Sequence, residues 1–306
     1  MKSFIPYLKS ISQESFSQFS SNSDPIGHYN RDNYTIDQES ICVLGIPFDA
    51  NSSFRRGPAL APSRIRENYF SDSSNLWTEY GIDLGSISSL YDMGDLDCAD
   101  TTSGFNAITN IVDTLLKKGA GIISLGGDHS ITFPVFKAFA DNYDSLNILH
   151  LDAHPDLYDT LDNNPFSHAC PFARIMEKKM AKRLVQAGIR TINGHQRTQA
   201  ERLGVEVMEM KDGTEWLKKM EFQGPVYLSI DMDCLDPAFA PGVSHHEPGG
   251  FTTRQVIDII HQVKGNIIGG DIVEYNPERD YGSVTAMVAA KLLKELVGRI
   301  SADKAL

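Results

Sequence analysis

Asn147-Ile-Leu-His-Leu-Asp-Ala-His-Pro-Asp156 is the stretch on which the reading of this chain turns. It begins as an apolar strand, Asn147 to Leu151, and ends in Asp152-x-His154-x-Asp156. Strand side chains alternate between faces, so residues two apart point the same way while the backbone stays extended. Two carboxylates and an imidazole then converge at the end of a buried strand. Charges gathered there need a counter-charge, and a metal ion supplies one.

Two more strand ends carry the same chemistry. The run Gly121 to Leu125 leads into Gly126-Gly-Asp-His-Ser130, where paired glycines allow a sharp turn and His129 sits at the strand-to-helix corner. The run from Val226 leads into Ser229-Ile-Asp-Met-Asp-Cys-Leu-Asp-Pro237, again with carboxylates two apart. Four aspartates at one sheet edge repel one another unless cations lie between them. Asp152, Asp156, Asp231 and Asp233, with His129 and His154, are too many ligands for one ion and suit two divalent ions with bridging carboxylates. An oxygen-rich set with some imidazole and no thiolate favours manganese over a structural zinc. Two adjacent ions lower the pKa of a shared water toward neutrality, so the expected reaction is hydrolysis.

Outward from these motifs, apolar strands alternate with helical periodicity. Strands are expected at 41–46, 90–96, 121–125, 147–151, 184–189, 226–231 and 266–271. Helices are expected at 104–118, 131–140, 171–183, 196–203, 212–220, 252–263 and 282–300, with a further one after a Ser63 cap and running through Tyr69. Short continuous apolar strands between helices mark a parallel sheet covered on both faces. The fold class is therefore α/β: a three-layer sandwich with a central, mainly parallel sheet. No composition break falls inside 41–306, which reads as one domain. Residues 1–40, rich in Ser, Gln and Asn between 10 and 23, read as an N-terminal extension. In such sheets, ligands bind beyond the carboxyl ends of the strands, where the polar clusters lie.

With 28 basic and 40 acidic residues the net charge is −12. That argues against nucleic acid and anionic membranes as partners; the bulk of the charge reads as serving solubility, and it also favours a cationic small molecule. No run of about 18 apolar residues exists to span a membrane. Cys42, Cys98, Cys170 and Cys234 are widely separated and form no C-x-x-C pair. With no secretory signal evident, the expectation is a cytoplasmic protein with reduced thiols.

The Gly-Gly-Asp-His-Ser, Asp-Ala-His-Pro-Asp and Ser-x-Asp-x-Asp-x-Leu-Asp-Pro motifs, in that order, resemble those of the ureohydrolases, the arginases and agmatinases. The resemblance spans about residues 41–300. The stretches Asp236 to Gly250, Glu274 to Asp280 and Thr285 to Ala290 look most like plant arginases and their bacterial relatives. It implies an arginase-like fold and two Mn²⁺, one held by His129, Asp152, Asp156 and Asp231, the other by Asp152, His154, Asp231 and Asp233. It implies that Glu274 grips the guanidinium of a small cationic substrate. His168, on the loop Asp162-Asn-Asn-Pro-Phe-Ser-His168, and Asp156 would move protons, and Asn164, Ser167 and His168 would touch substrate. Family members assemble as trimers or hexamers, so a homo-oligomer is expected. The loop holds no Arg or Lys to grip a carboxylate, which favours agmatine, cleaved to putrescine and urea. L-Arginine, cleaved to ornithine and urea, is the alternative, with other guanidino acids behind it. A deacetylase-like metallohydrolase is a distant rival.

Remaining candidates receive lesser roles. His150 is assigned to the face opposite the ligands, as a packed core histidine. His245 and His246 are assigned to the substrate mouth or a loop, Cys234 to the core, and Asp128 to orienting its surroundings. His195 and His261 have no ligand partner near in sequence.

Overall fold

The computed structural model describes residues 35–97 and 102–305. The eight strands among them are β1 Ile41–Ile46, β2 Leu90–Asp95, β3 Gly121–Gly126, β4 Asn147–Leu151, β5 Arg183–Ile189, β6 Glu206–Glu209, β7 Glu221–Asp231 and β8 Lys264–Val273. They form one sheet in the order β2-β1-β3-β8-β7-β4-β5-β6, and every neighbouring pair is parallel. Seven α-helices accompany it among the described residues: α1 Ala61–Tyr69, α2 Thr102–Leu116, α3 Thr132–Asn142, α4 Pro171–Glu177, α5 Gly194–Leu203, α6 Thr253–Gln262 and α7 Val284–Lys304.

The period-two alternation of the strands builds two cores. Leu149, Leu151, Leu228 and Ile230 face one way and pack with Ile65 of α1, Ile260 of α6 and Leu292 of α7. Ile148, Leu184 and Tyr227 face the other way, with Val112 of α2, Phe136 and Phe139 of α3 and Phe172 of α4. Fully burying each large side chain of this kind contributes roughly 1.5–3 kcal/mol. The outcome is the expected three-layer sandwich.

The differences have local causes. The edge strand β6 was not expected: its four residues are all half-buried, so no apolar run marks it. The helix expected over 171–183 stops at Glu177, and Lys179 takes a left-handed φ of 54° that no helix continues through. Residues 212–220 form only short 3₁₀ turns, separated by Gly213 at φ 74°. Ser63 lies inside α1, which begins two residues earlier at Ala61, instead of capping it. Most of the expected N-terminal extension, like Cys98, lies outside the described residues. No helix among those described is long and apolar enough to cross a membrane.

The strand order is what positions the site. The chain lays down β3 and β4 in sequence, yet β8 and β7 are later inserted between them. Four adjacent central strands therefore end at one point. Leu151 pairs with Ile230, and Asp231 with Val273. One further step of that register puts Asp152 beside Asp231 and brings Glu274 to the same edge.

Candidate metal centre and substrate cavity

Each strand end turns sharply. After β3, Gly127 has φ 34°, and a Cβ there would lie 2.2 Å from the Phe48 carbonyl oxygen, so only glycine fits. Asp128 secures the turn by accepting the Asn51 N–H at 2.9 Å and the Ser130 N–H at 3.0 Å. After β4 the backbone does not stay extended. Asp152 accepts the His154 N–H at 2.6 Å, and Asp156 takes φ 50°. After β7, Asp231 accepts the Asp233 N–H at 2.8 Å. Glu274 follows β8 at φ 62°. Two non-glycine residues held left-handed at one site are the kind of strain that functional sites retain.

The turned ends bring two clusters together. His129 Nδ1 lies 3.2 Å from Asp152 Oδ2, 3.1 Å from Asp156 Oδ2 and 3.1 Å from Asp231 Oδ2. His154 Nδ1 lies 3.0 Å from Asp233 Oδ2 and 3.4 Å from Asp152 Oδ1. Asp152 thus gives one oxygen to each cluster.

The donor chemistry can be tested for fit to a cation. Ser229 Oγ donates to Asp271 Oδ1 at 2.7 Å and lies 3.0 Å from His129 Nε2. A hydroxyl whose proton is spent on Asp271 accepts from His129, so the His129 proton is on Nε2. Its buried Nδ1 then makes no hydrogen bond and presents a lone pair to three carboxylates. Positive charge suits that arrangement: against burial, Asp152, Asp156 and Asp231 raise the His129 pKa well above the usual imidazole value, and a metal ion can take the place of the proton they draw. Ligands held about 2.1–2.2 Å from one octahedral ion lie about 3.0–3.1 Å apart, matching the observed spacing.

Electrostatics agree. Burial raises the pKa of Asp231 well above the carboxylate range, and repulsion by Asp233 and Asp152 adds to it. Burial also raises that of Asp233. Asp152 goes the other way: burial opposes ionisation, but its neighbours, His150 foremost, outweigh it and hold the pKa well below the usual range. The carboxylate group is thus internally frustrated until positive charge enters.

His150 requires a correction. It stands two residues from Asp152, not one, and so shares its face. Its Nε2 lies 2.8 Å from Asp152 Oδ2, and its ring stacks on Phe172 with 3.9 Å between centroids. The Gln186 side-chain amide sits between the Pro155 carbonyl at 2.6 Å and His150 Nδ1 at 3.0 Å. Donation from Gln186 leaves the His150 proton on Nε2, directed at Asp152. His150 is therefore a buried donor that orients the shared carboxylate.

A cavity of about 420 Å³ opens over the clusters, lined at its floor by His154, Asp156, Asp231, Asp233 and Glu274. Glu274 Oε1 accepts the His129 N–H at 2.9 Å and lies 2.8 Å from His168 Nδ1. Burial lowers the His168 pKa, but the Glu274 carboxylate outweighs it and carries it up to about 9. Ser53 acts against that: its N–H, 3.2 Å from His168 Nε2, disfavours a proton there. His245 lines the wall, and His246 is an exposed loop residue that bonds the Pro241 carbonyl, within the mouth-or-loop assignment.

Asn164 and Ser167 are not brought to this cavity. Asn164 donates to Asn51 Oδ1 at 2.9 Å and accepts the Phe166 N–H, while Ser167 is buried with its Oγ toward the Ala169 N–H. Both shape the loop that carries His168. Sequence reasoning also passed over Ser53, Tyr158, Asn193 and Arg190, all of which line the cavity. Arg190 donates to the carbonyls of Asp233 at 2.7 Å, Glu247 at 2.5 Å and Leu235 at 3.3 Å. The Gly188-Ile-Arg190 corner after a buried strand was the available signal.

A parallel α/β sheet with two His/Asp clusters sharing a carboxylate at its central strand ends defines a binuclear metallohydrolase. The model of the arginase family matches residues 39–298, and the chain belongs to that family. It is a ureohydrolase of the manganese type, acting on a small guanidino substrate. Mitochondrial arginase 1 of Oryza sativa is 47% identical over 278 residues, covering 86% of this chain and 82% of the rice protein. The arginase structure from Medicago truncatula aligns with a TM-score of 0.81 at 43% identity, covering 85% of this chain and 87% of that one. Agmatinase of Bacillus anthracis is 31% identical, covering 86% of this chain and 92% of its own.

The comparison also corrects the cytoplasmic expectation. Plant arginases 44–47% identical to this chain carry mitochondrial or chloroplast and mitochondrial names. An absent apolar leader was weak ground for a compartment, because organelle-targeting segments are amphipathic and need no apolar run.

Proposed function

We propose that the chain hydrolyses L-arginine to L-ornithine and urea. The observation that supports arginine is the margin of identity: 44–47% to plant arginases against 31% to agmatinases. That margin weighs more than the missing cation in the loop before His168, which favoured agmatine.

His129, Asp152, Asp156 and Asp231 would hold one Mn²⁺, and Asp152, His154, Asp231 and Asp233 the other. Held there, the pair would supply positive charge and lower the pKa of a water for attack on the guanidino carbon. The protein does the rest. Glu274, a strand-end carboxylate facing a planar cation, grips and orients the guanidinium. Its grip keeps the carbon over the clusters, where a displacement of about 1 Å is costly. Asp156 and His168 carry the proton that the departing amine requires. His150, Ser229 and Asp271 keep the first ligands aimed, and Arg190 holds the Asp233 loop against Glu247.

Agmatine remains a second reading on one observation. Arg190 is the only Lys or Arg lining the described cavity, and its guanidinium is taken up by backbone carbonyls. A substrate carboxylate would meet neutral donors instead, such as Tyr158 and Asn193. Urea release from arginine and agmatine, compared side by side on manganese-loaded protein, tests the assignment. A kcat/KM at least tenfold higher on arginine is expected, and a preference for agmatine overturns it.

A further inference from the structure

Ser53 lies on the loop after β1, exposed at the cavity rim, yet both of its polar groups meet the buried His168 ring. Its main-chain N is 3.2 Å and its Oγ 2.8 Å from His168 Nε2. The opposite ring nitrogen, Nδ1, is 2.8 Å from Glu274 Oε1. A main-chain N–H only donates, so the neutral ring accepts at Nε2 and carries its proton on Nδ1, toward Glu274. Both nitrogens are thereby occupied. Once Nε2 carries a proton, the Ser53 hydroxyl is the neighbour able to accept it.

We propose that Ser53 Oγ is the relay through which His168 exchanges protons with bulk water. This rests on the reading of His168 as a proton carrier. The step balances without any other reactant. The Nδ1–H proton passes to the departing amine nitrogen. Nε2 takes the Ser53 Oγ proton, and Oγ takes one from bulk water, which leaves a hydroxide there until the ring resets. Only N–H and O–H bonds form and break. The ring is left in its other tautomer, with an Nε2–H facing the Ser53 main-chain N–H. That juxtaposition favours resetting: the Nε2 proton passes back through Ser53 Oγ to the bulk hydroxide, and Nδ1 takes a proton from the water that enters the emptied site, leaving the hydroxide for the next attack. Ser53 is thus a positioning and relay residue, and no contact with substrate is required of it.

Substitution separates its two groups, because Ser53→Ala removes the hydroxyl and keeps the N–H that holds the ring. In manganese-loaded enzyme at low buffer concentration, Ser53→Ala is expected to lower kcat about 10-fold. KM should stay within about twofold, manganese content should be unchanged, and the solvent deuterium isotope effect on kcat should rise. Ser53→Thr should keep at least about half of the activity. A His168→Ala background should absorb the Ser53→Ala loss. Unchanged kcat and isotope effect in Ser53→Ala overturn the relay, as does an equal Ser53→Ala loss with His168 removed. Wild-type kcat in His168→Ala alone instead overturns the reading of His168, so the two failures are distinguishable.

Discussion

Ser229 Oγ lies 3.0 Å from His129 Nε2 and fixes which nitrogen of that ring is free. Behind it, Asp271 accepts Ser229 Oγ at 2.7 Å, Tyr227 OH at 2.6 Å and Thr132 Oγ1 at 2.8 Å, so its carboxylate is fully engaged. Groups that hold a ligand's far nitrogen typically contribute a factor of 10–100 in metal affinity. Ser229→Ala should therefore weaken the manganese held through His129 about 10- to 100-fold and leave the fold intact. Titration calorimetry with Mn²⁺ reads this directly, and unchanged affinity would rule out the tautomer argument.

Asp231→Asn separates the cost of the site from its use. Burial and the neighbouring Asp233 and Asp152 carboxylates push the Asp231 pKa well up. Removing its charge should stabilise the metal-free protein, because it relieves that repulsion. The same change should cost most of the bound manganese and at least about 10³-fold in kcat, if metal-assisted attack carries the rate. The measurements are paired melting curves with and without manganese, plus metal content. A melting temperature that falls in the metal-free protein would contradict the frustrated-carboxylate account.

Arg190 ties three carbonyls of the Asp233–Leu235 turn to that of Glu247 through a planar fork. A lysine has one ammonium and cannot span them. In Arg190→Lys the turn should loosen and Asp233 move off the position that serves His154. A drop of about 10-fold or more in kcat/KM is expected, with circular dichroism unchanged. Full activity would show that the turn holds itself.

Legibility varied with how local the cause was. β1 and β4 lie at their expected bounds and six ligand candidates meet as two clusters, because continuous apolar runs and Asp-x-His spacing are carried within a few residues. The sequence argument had an extended backbone after Leu151, whereas the side chains converge because Asp152 turns the chain back on itself. His150 was misassigned by a miscount of parity, although the signal was present. Ser229 and Asp271 were invisible as a pair, since strands β7 and β8 become neighbours only through the sheet order. Ser53 acts through a loop contact for which no residue pattern exists, and Arg190 acts through backbone carbonyls, marked only by the Gly188-Ile-Arg190 corner. Glu274 and His168 entered only by family resemblance.

The α6–α7 face offers a pH prediction remote from the site. Glu295 is fully buried, with Oε2 2.6 Å from His261 Nε2, Lys291 on its other oxygen and the Glu79 N–H at 3.0 Å. Burial alone would raise its pKa, but these partners outweigh it and bring it down to about 2. The folded pKa lies below the ordinary carboxylate value of 4.5. Its contribution is therefore fully present above that value and is lost as pH falls toward 2. The linked stability is on the order of 3 kcal/mol. Glu295→Gln should remove that part of the acid limb. Urea unfolding at pH 7 should show the variant less stable by about that amount, and the gap between variant and parent should narrow progressively from pH 5 to pH 3. A gap that stays constant across this range would mean that Glu295 acts by packing alone.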